Sequence, residues 1–415
     1  MAGASSWSYA CFRGDLPLLP TPLLGDDARM GTHPALTTEL SALDPALRAR
    51  LDRAGFDQDV FLALAASVTE GDPITRRRTR NTVKGEVRPP SPGEIGQLPS
   101  GGTAEHDALA RRGEEALARG EVAFCTLAGG MATRMGGIVK ALAEVYDEKT
   151  FLDLRLAENA SAKKRFGATI PLWLMTSEAT HEALASALKE RGAPSHIALF
   201  MQNLSLRLAM DGSLFIGEDG HPSVYATGHG DVVDALRRSG QLDGFLARGG
   251  KYVWITNLDN LGASIDPVLL GRFIASGADV QGEVCRKEGD AGGIPVHAEG
   301  KLQVLEEFRL PAGFDPTTVN VFNTNTFLLR AEPLAKAKLS WTYFEVEKKV
   351  ATKDGPKPAI QFERLIQEVT AHLPATYVEV PRDGAGSRFL PVKDFDELAR
   401  RRPTIQAVAR ARGME

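Results

Sequence analysis

An apolar run that ends in glycines constrains this chain more than any other feature. Val122 to Lys140 reads VAFCTLAGGMATRMGGIVK. The segment VAFCTL predicts a buried strand, and the strand feeds straight into Ala128-Gly129-Gly130, then Thr133, Arg134 and Gly136-Gly137, then a single lysine. Without Cβ atoms in the way, the backbone of such a loop can approach a ligand closely and turn its N–H groups toward phosphate oxygens. Lys140 would add the positive charge a polyphosphate requires. Many Gly-rich turns after strands bind nothing, so these residues alone leave a structural turn open beside a phosphate loop.

A chain of 415 residues holds one large α/β domain with appendages, or two domains of ordinary size. The formal net charge of −4 gives no global attraction for nucleic acid or an acidic membrane, so neither is expected as a partner. An anionic substrate has to be captured by locally placed lysines, arginines and backbone N–H groups. The three cysteines, Cys11, Cys125 and Cys285, are too few and too scattered for a disulfide framework, and the latter two sit in apolar runs as buried thiols. No apolar run approaches the ~20 residues of a membrane span. No basic segment followed by an apolar stretch opens the sequence, so a cytoplasmic protein is expected.

Along the chain, residues 1 to about 35 are rich in Gly, Ser and Pro without periodicity and read as poorly ordered. Leu36 to Thr69 predicts two amphipathic helices broken near Gly55. The basic run Thr75 to Thr82, TRRRTRNT, reads as a solvated face or a neutraliser of nearby acids. Gly85 to Gly102 is Pro/Gly-rich and reads as a linker over the surface. From Ala104 onward helices and strands alternate: helix 104–119, strand 122–127, strand 169–175, helix 179–191, strand 196–201, helix 231–238, strand 251–256, helix 266–276 and strand 279–286. This rhythm predicts a mixed, mainly parallel α/β sheet covered by helices, with the ligand beyond the carboxyl ends of the strands. Residues 1–103 are expected as a partly disordered, helical N-terminal extension and 104–415 as the catalytic domain.

Four further segments recur with the Gly-rich loop: YATGHGD (Tyr225 to Asp231), KYVWITNLDNLGA (Lys251 to Ala263), VFNTNTF (Val321 to Phe327) and GSRFLPVK (Gly386 to Lys393). In this order the five segments resemble the UTP–glucose-1-phosphate uridylyltransferase family, over roughly Glu121 to Leu398. The resemblance implies a nucleotide-diphospho-sugar transferase (GT-A-like) fold and a reaction in which a sugar phosphate attacks the α-phosphorus of UTP and pyrophosphate leaves. The nucleophile is already an anion, so the work reduces to in-line positioning and spreading of negative charge. It further implies Lys393 at the reacting phosphates, Lys140 after the nucleotide loop, and His229 near the sugar phosphate as a hydrogen-bond donor. Leu127, Ala128, Gly129, Gly130, Gln202 and Gly228 fall to the nucleotide; a glutamine amide can pair with both N3–H and a carbonyl of uracil.

Asp259, just past the strand YVWIT, is the candidate Mg²⁺ ligand, since Mg²⁺ takes one or two protein carboxylates plus phosphate oxygens. By its residues alone NLDN also fits a turn whose Asp and Asn bond the local backbone. Asn323 and Asn325, two apart on a strand and therefore expected on one face, look toward the sugar together with Asn257 and Glu306. Lys287 stands where the family carries a basic residue, and Arg388 fits either a phosphate contact or a structural ion pair. The sequence departs from the family at Ala132 and Val139, where glycine and proline are usual, in a loop about one residue short. That puts the reach of Lys140 in question. Relatives continue into a C-terminal β-helix for which no room remains after Lys393, so a monomer is expected. Two alternatives stay open: the same chemistry on N-acetylglucosamine 1-phosphate or another sugar 1-phosphate, and a catalytically weak sugar-nucleotide-binding regulator. A dinucleotide oxidoreductase is disfavoured, because GGMATRMGG lacks GxGxxG spacing.

Overall fold

The structure, a computed structural model, describes residues 34–132, 135–290 and 292–415. The expectation of poor order before residue 35, the thiol of Cys11 and the loop residues Thr133 and Arg134 fall outside the described residues.

The centre is an eight-stranded sheet. In chain order its strands are β1 (Ile95–Gly96), β2 (Val122–Leu127), β3 (Leu172–Thr176), β4 (Ile197–Met201), β5 (Tyr252–Asn257), β6 (Val280–Arg286), β7 (Val321–Arg330) and β8 (Ala375–Glu379). Their spatial order is β1-β8-β6-β7-β5-β2-β3-β4. Every neighbouring pair is parallel except the two made by β7, which runs antiparallel to both β5 and β6. The expectation of a mixed, mainly parallel sheet with flanking helices holds.

Both faces are covered, and the pleat sorts the side chains. Phe124, Leu172, Leu174, Tyr252 and Trp254 pack on one face, where α5 (Ala104–Ala118), α6 (Phe151–Phe166), α7 (Glu178–Glu190) and α10 (Pro267–Ser276) supply the other half of the core. Ala123, Cys125, Trp173, Met175, Val253 and Ile255 point the opposite way, onto α8 (Val232–Arg238) and α9 (Gln241–Ala247). Cys125 and Cys285 are buried free thiols, and burial pushes the latter up to about 12. Helices α5 and α10 cross so closely that a Cβ on Gly113 would strike the Pro267 carbonyl.

Leu36 to Thr69 holds three helices where two were expected: α1 (Pro34–Ser41), α2 (Pro45–Arg53) and α3 (Gln58–Val68). The extra break has a local cause, since Asp44 caps α2 through the N–H groups of Ala46 and Leu47, with Pro45 opening the new helix. Their apolar faces bury Leu36, Leu40, Leu51, Phe61 and Leu64 against Leu204, Leu206, Ile360 and Phe362. The basic run forms α4 (Pro73–Asn81), and Arg76 there forks onto the buried Glu345 carboxylate at 2.8 and 3.0 Å. It is a neutraliser of a buried acid. The 85–102 segment is more than a linker: Val87–Arg88 pairs with Ile294–Ala298, and β1 extends the central sheet beside β8. Among the described residues no helix is long and apolar enough to cross a membrane.

Candidate active site

A cavity of about 380 Å³ opens at the carboxyl ends of β2, β3, β4 and β5. Leu127, Ala128, Gly129, Gly130, Lys140, Gln202, His229, Asn257, Asp259 and Lys393 line it, together with Met175, Ala141, Leu258 and Pro391. Parallel strands deliver their following loops to one edge, which is why segments over 260 residues apart in sequence share one cavity.

The Gly-rich loop folds as a small hairpin, Met131–Ala132 against Ile138–Val139, and the Lys140 N–H closes it by donating to the Gly130 carbonyl at 3.2 Å. Despite Ala132 and Val139, Lys140 reaches the cavity, and its Nζ donates to Asp259 Oδ2 at 2.6 Å. The loop is anchored behind by Ser177, whose hydroxyl donates to the Gly129 carbonyl at 2.8 Å. Gln202 lies directly on Gly129, where a Cβ would collide with its Oε1, and its Nε2 donates to the Gly228 carbonyl at 3.3 Å.

The GHGD turn is held by a buried charge pair. Asp231, fully buried, accepts from Arg364 Nε and Nη2 at 2.9 and 2.6 Å, from the Thr227 hydroxyl at 2.7 Å and from the Asn203 N–H at 3.0 Å. Burial pushes the Asp231 carboxyl upward, and the Arg364 guanidinium, the Thr227 hydroxyl and the Asn203 N–H oppose it. The Arg364 backbone packs so closely on Gly228, at φ 101°, that no side chain fits there. Because Asn203 follows Gln202, Asp231 ties the uracil candidate and the histidine to one anchor.

His229 accepts the Ile366 N–H on Nδ1 at 3.1 Å. That bond sets the tautomer, leaving the proton of the neutral ring on Nε2. Burial lowers its pKa to about 4, so the ring is neutral at physiological pH. Its Nε2–H is then the ring's one hydrogen-bond donor, on a residue that lines the cavity.

Asn257, Asp259 and Asn260 form a loop zipped to the Arg388–Lys393 segment. Asn260 donates to the Arg388 carbonyl at 3.1 Å and accepts the Leu390 N–H at 2.8 Å, and Asp259 Oδ2 accepts the Val392 N–H at 3.3 Å. Lys393 is fixed through its own N–H, which donates to Glu397 Oε2 at 2.8 Å. Among the described residues no group of three or more His, Cys, Asp or Glu gathers to hold a metal alone. Asp259 instead presents a single carboxylate to the cavity, which suits Mg²⁺ only where anionic oxygens of a ligand complete its shell.

Not every expected residue arrives. β7 carries a bulge, with Thr326 opposite Glu283 but Asn323 opposite Val284, which breaks the alternation expected to put Asn323 and Asn325 on one face, and neither lines the cavity. Asn325 has φ 59°; its N–H donates to Asn323 Oδ1 at 3.1 Å, and its amide donates to Asn257 Oδ1 at 3.0 Å. Asn325 therefore orients the cavity residue Asn257, while Asn323 caps the bulge. Glu306 does not line the cavity; it accepts from Gln367 at 2.5 Å, and burial raises its pKa. Lys287 donates to the Pro316 carbonyl at 3.1 Å and stays off the cavity. Arg388 is a structural ion-pair partner, forked onto the buried Glu283 at 2.6 and 2.8 Å. Sequence reasoning missed the Asp231–Arg364 pair. Its one visible sign was an aspartate ending GHGD just before an apolar helix.

A family model for UTP–glucose-1-phosphate uridylyltransferase (UDPGP) matches residues 77–406. The UTP–glucose-1-phosphate uridylyltransferase of Saccharomyces cerevisiae is 27% identical over 377 residues, which covers 86% of this chain and 71% of the yeast protein. That of Musa acuminata is 32% identical over 293 residues, covering 67% of this chain and 62% of the relative. That of Hordeum vulgare is 32% identical, covering 66% and 59% respectively. The chain thus spans less than two thirds of the length of the latter two. Among solved structures, a UDP-glucose pyrophosphorylase from Leishmania major matches with TM-score 0.67 at 24% identity, covering 86% of this chain and 79% of that one. A uridine diphosphate N-acetylglucosamine pyrophosphorylase from Trypanosoma brucei matches with TM-score 0.66 at 21% identity, covering 85% and 83%. These structural likenesses carry the fold.

Proposed function

The chain belongs to the UTP–glucose-1-phosphate uridylyltransferase family, and on that premise we propose that it makes UDP-glucose and pyrophosphate from UTP and glucose 1-phosphate. One observation carries the reading: a single cavity gathers Lys140, Lys393, Asp259, Gln202 and His229 at the carboxyl edge of the sheet. In this reading the Gln202 amide and the backbone around Gly228 take uracil, and Gly129 and Gly130 let the nucleotide approach the loop. Lys140 and Lys393 attract the phosphates and meet the charge that grows as the α-phosphorus is attacked. His229 Nε2–H donates to a phosphate oxygen. Asn257, turned by Asn325, meets the sugar.

Asp259 would hold Mg²⁺, whose chemistry here is to neutralise phosphate charge and align the oxygens. No general base is required, because the sugar phosphate is already an anion, and the neutral His229 fits that requirement. We take the sheet as a GT-A-like nucleotide-diphospho-sugar transferase core that reaches back beyond residue 104 to β1, with the helices α1 to α4 as an N-terminal extension, in a cytoplasmic monomer. Pyrophosphate release measured with UTP against a panel of sugar 1-phosphates tests the reading. Turnover should be fastest with glucose 1-phosphate; preference for N-acetylglucosamine 1-phosphate would move the chain to the other branch, and UTP binding without turnover would make it a regulator.

A further inference from the structure

The loop that presents Asp259 is gripped from beneath by a side chain that does not itself line the cavity. Arg155, on α6, is 1% exposed. Its Nε donates to the Leu258 carbonyl at 3.2 Å, Nη1 to Ala263 at 3.0 Å, and Nη2 to Asn260 at 2.5 Å and Asn257 at 3.4 Å. The remaining Nη1 donor meets Glu158 Oε2 at 2.7 Å, so all five N–H groups are engaged. Glu158 continues the grip, its Oε1 accepting the Ile265 N–H at 3.0 Å. The carbonyls of Gly262 and Ser264 accept from Arg412 and Arg388.

Such a density of arginine on one loop has a physical cause. Consecutive tight turns, Asn260 N–H to Asn257, Leu261 to Asp259, Ala263 to Asn260 and Ser264 to Gly262, crowd carbonyls that no regular element can satisfy. A guanidinium has a planar fork and a permanent charge, so it can bind four such carbonyls in one arrangement; an ammonium, with three donors around a point, cannot.

We propose that Arg155 is a positioning residue, which sets where the Asp259 carboxylate stands by holding the backbone of Asn257–Ala263. It acts through that backbone and touches neither substrate nor metal. Its reach extends further, because Asn260 and Asp259 are bonded to Arg388, Leu390 and Val392, and a shift of one loop carries Lys393 with it. The uracil candidate Gln202 is held by other bonds, through Asn203 to Asp231 and Arg364. This separates the role from general stabilisation: losing Arg155 should act on Mg²⁺ use and turnover and spare UTP affinity.

The inference rests on the uridylyltransferase reading for its kinetic measurements only. Two variants test it. Arg155→Met with Glu158→Gln removes the pair without stranding a buried charge; Arg155→Lys keeps the charge and loses the fork. In both, the Mg²⁺ concentration for half-maximal activity should rise about tenfold or more and kcat should fall by a similar factor, the scale seen when the support of a metal ligand is lost, while the KM for UTP stays within about threefold. Arg155→Lys should be the milder. Hydrogen exchange of the peptide spanning 257–265 should quicken in both relative to the rest of the protein. A lowered melting temperature with unchanged Mg²⁺ dependence and kcat would reduce Arg155 to a fold-stabilising residue and overturn the proposal. Wild-type protein that makes no pyrophosphate from any sugar 1-phosphate would sink the reaction assignment instead. Hydrogen exchange then decides alone: unchanged exchange at 257–265 in Arg155→Lys overturns the proposal.

Discussion

Lys140 Nζ sits 2.6 Å from Asp259 Oδ2, joining the Gly-rich loop to the loop after β5 across the cavity. In the proposed reaction these two charges have different partners, phosphate for the lysine and Mg²⁺ for the carboxylate, so substrate binding must divide them. Asp259→Asn keeps the shape and removes the charge. It should cut turnover by about a hundredfold or more and weaken Mg²⁺ dependence. Normal turnover at the same Mg²⁺ concentration would show that Asp259 is no ligand. Lys140→Ala should weaken UTP binding and lower turnover, as calorimetry and initial rates would reveal.

Lys393→Ala should lower kcat far more than it raises the KM for UTP. A donor aimed at charge that develops only in the transition state is worth about 3 kcal/mol, roughly a hundredfold in rate. Steady-state kinetics showing a pure KM effect would confine Lys393 to ground-state binding.

His229 gives a signed pH prediction. Its folded pKa is lowered to about 4 by burial, from the ordinary 6.5. The folded state therefore binds this proton less readily than the unfolded state. The stability contribution is fully present above about 6.5 and is lost as pH falls toward about 4. Denaturant titrations across that window should show a slope that His229→Asn reduces. The kcat profile should carry no His229 titration between about pH 5.5 and 8; a step near 6.5 abolished in His229→Asn would refute the neutral-donor role.

The Asp231–Arg364 pair should be costly to break on one side only. Arg364→Met leaves a buried carboxylate unpaired and should cost about 3–5 kcal/mol; adding Asp231→Asn should recover much of it. Chemical denaturation of the three variants and wild type closes the cycle, and a double variant whose loss equals the sum of the two single losses would show the charges are not coupled.

Light scattering at micromolar concentration should return the mass of one chain. The apolar faces of α1, α2 and α3 are spent on their own core, with Leu36, Leu40, Leu51 and Phe61 all buried. A mass of twice that or more would refute the monomer, and its loss on deleting residues 1–70 would locate the contact.

What the sequence determined by itself was whatever repeats locally. The strand VAFCTL, the alternation of helices and strands, and the glycines at Gly129 and Gly228 all follow from side-chain size, polarity and backbone freedom within a few residues. The motif resemblance then placed Lys140, Gln202, His229, Asp259 and Lys393 in one expected site, and all five line one cavity. Only the tertiary structure decided what depends on partners distant in the chain. The bulge in β7 breaks the alternation between Asn323 and Asn325, because its register against β6 shifts between Glu283 and Val284, which neither strand shows alone. Whether the short loop could deliver Lys140 depended on a hairpin closing on Gly130 and on Asp259, 119 residues away, as acceptor. Arg155 and Arg364 read as ordinary helix and loop arginines until folding surrounds them with carbonyls and carboxylates. A buried charge has meaning only through the groups that compensate it, and those are chosen by the fold.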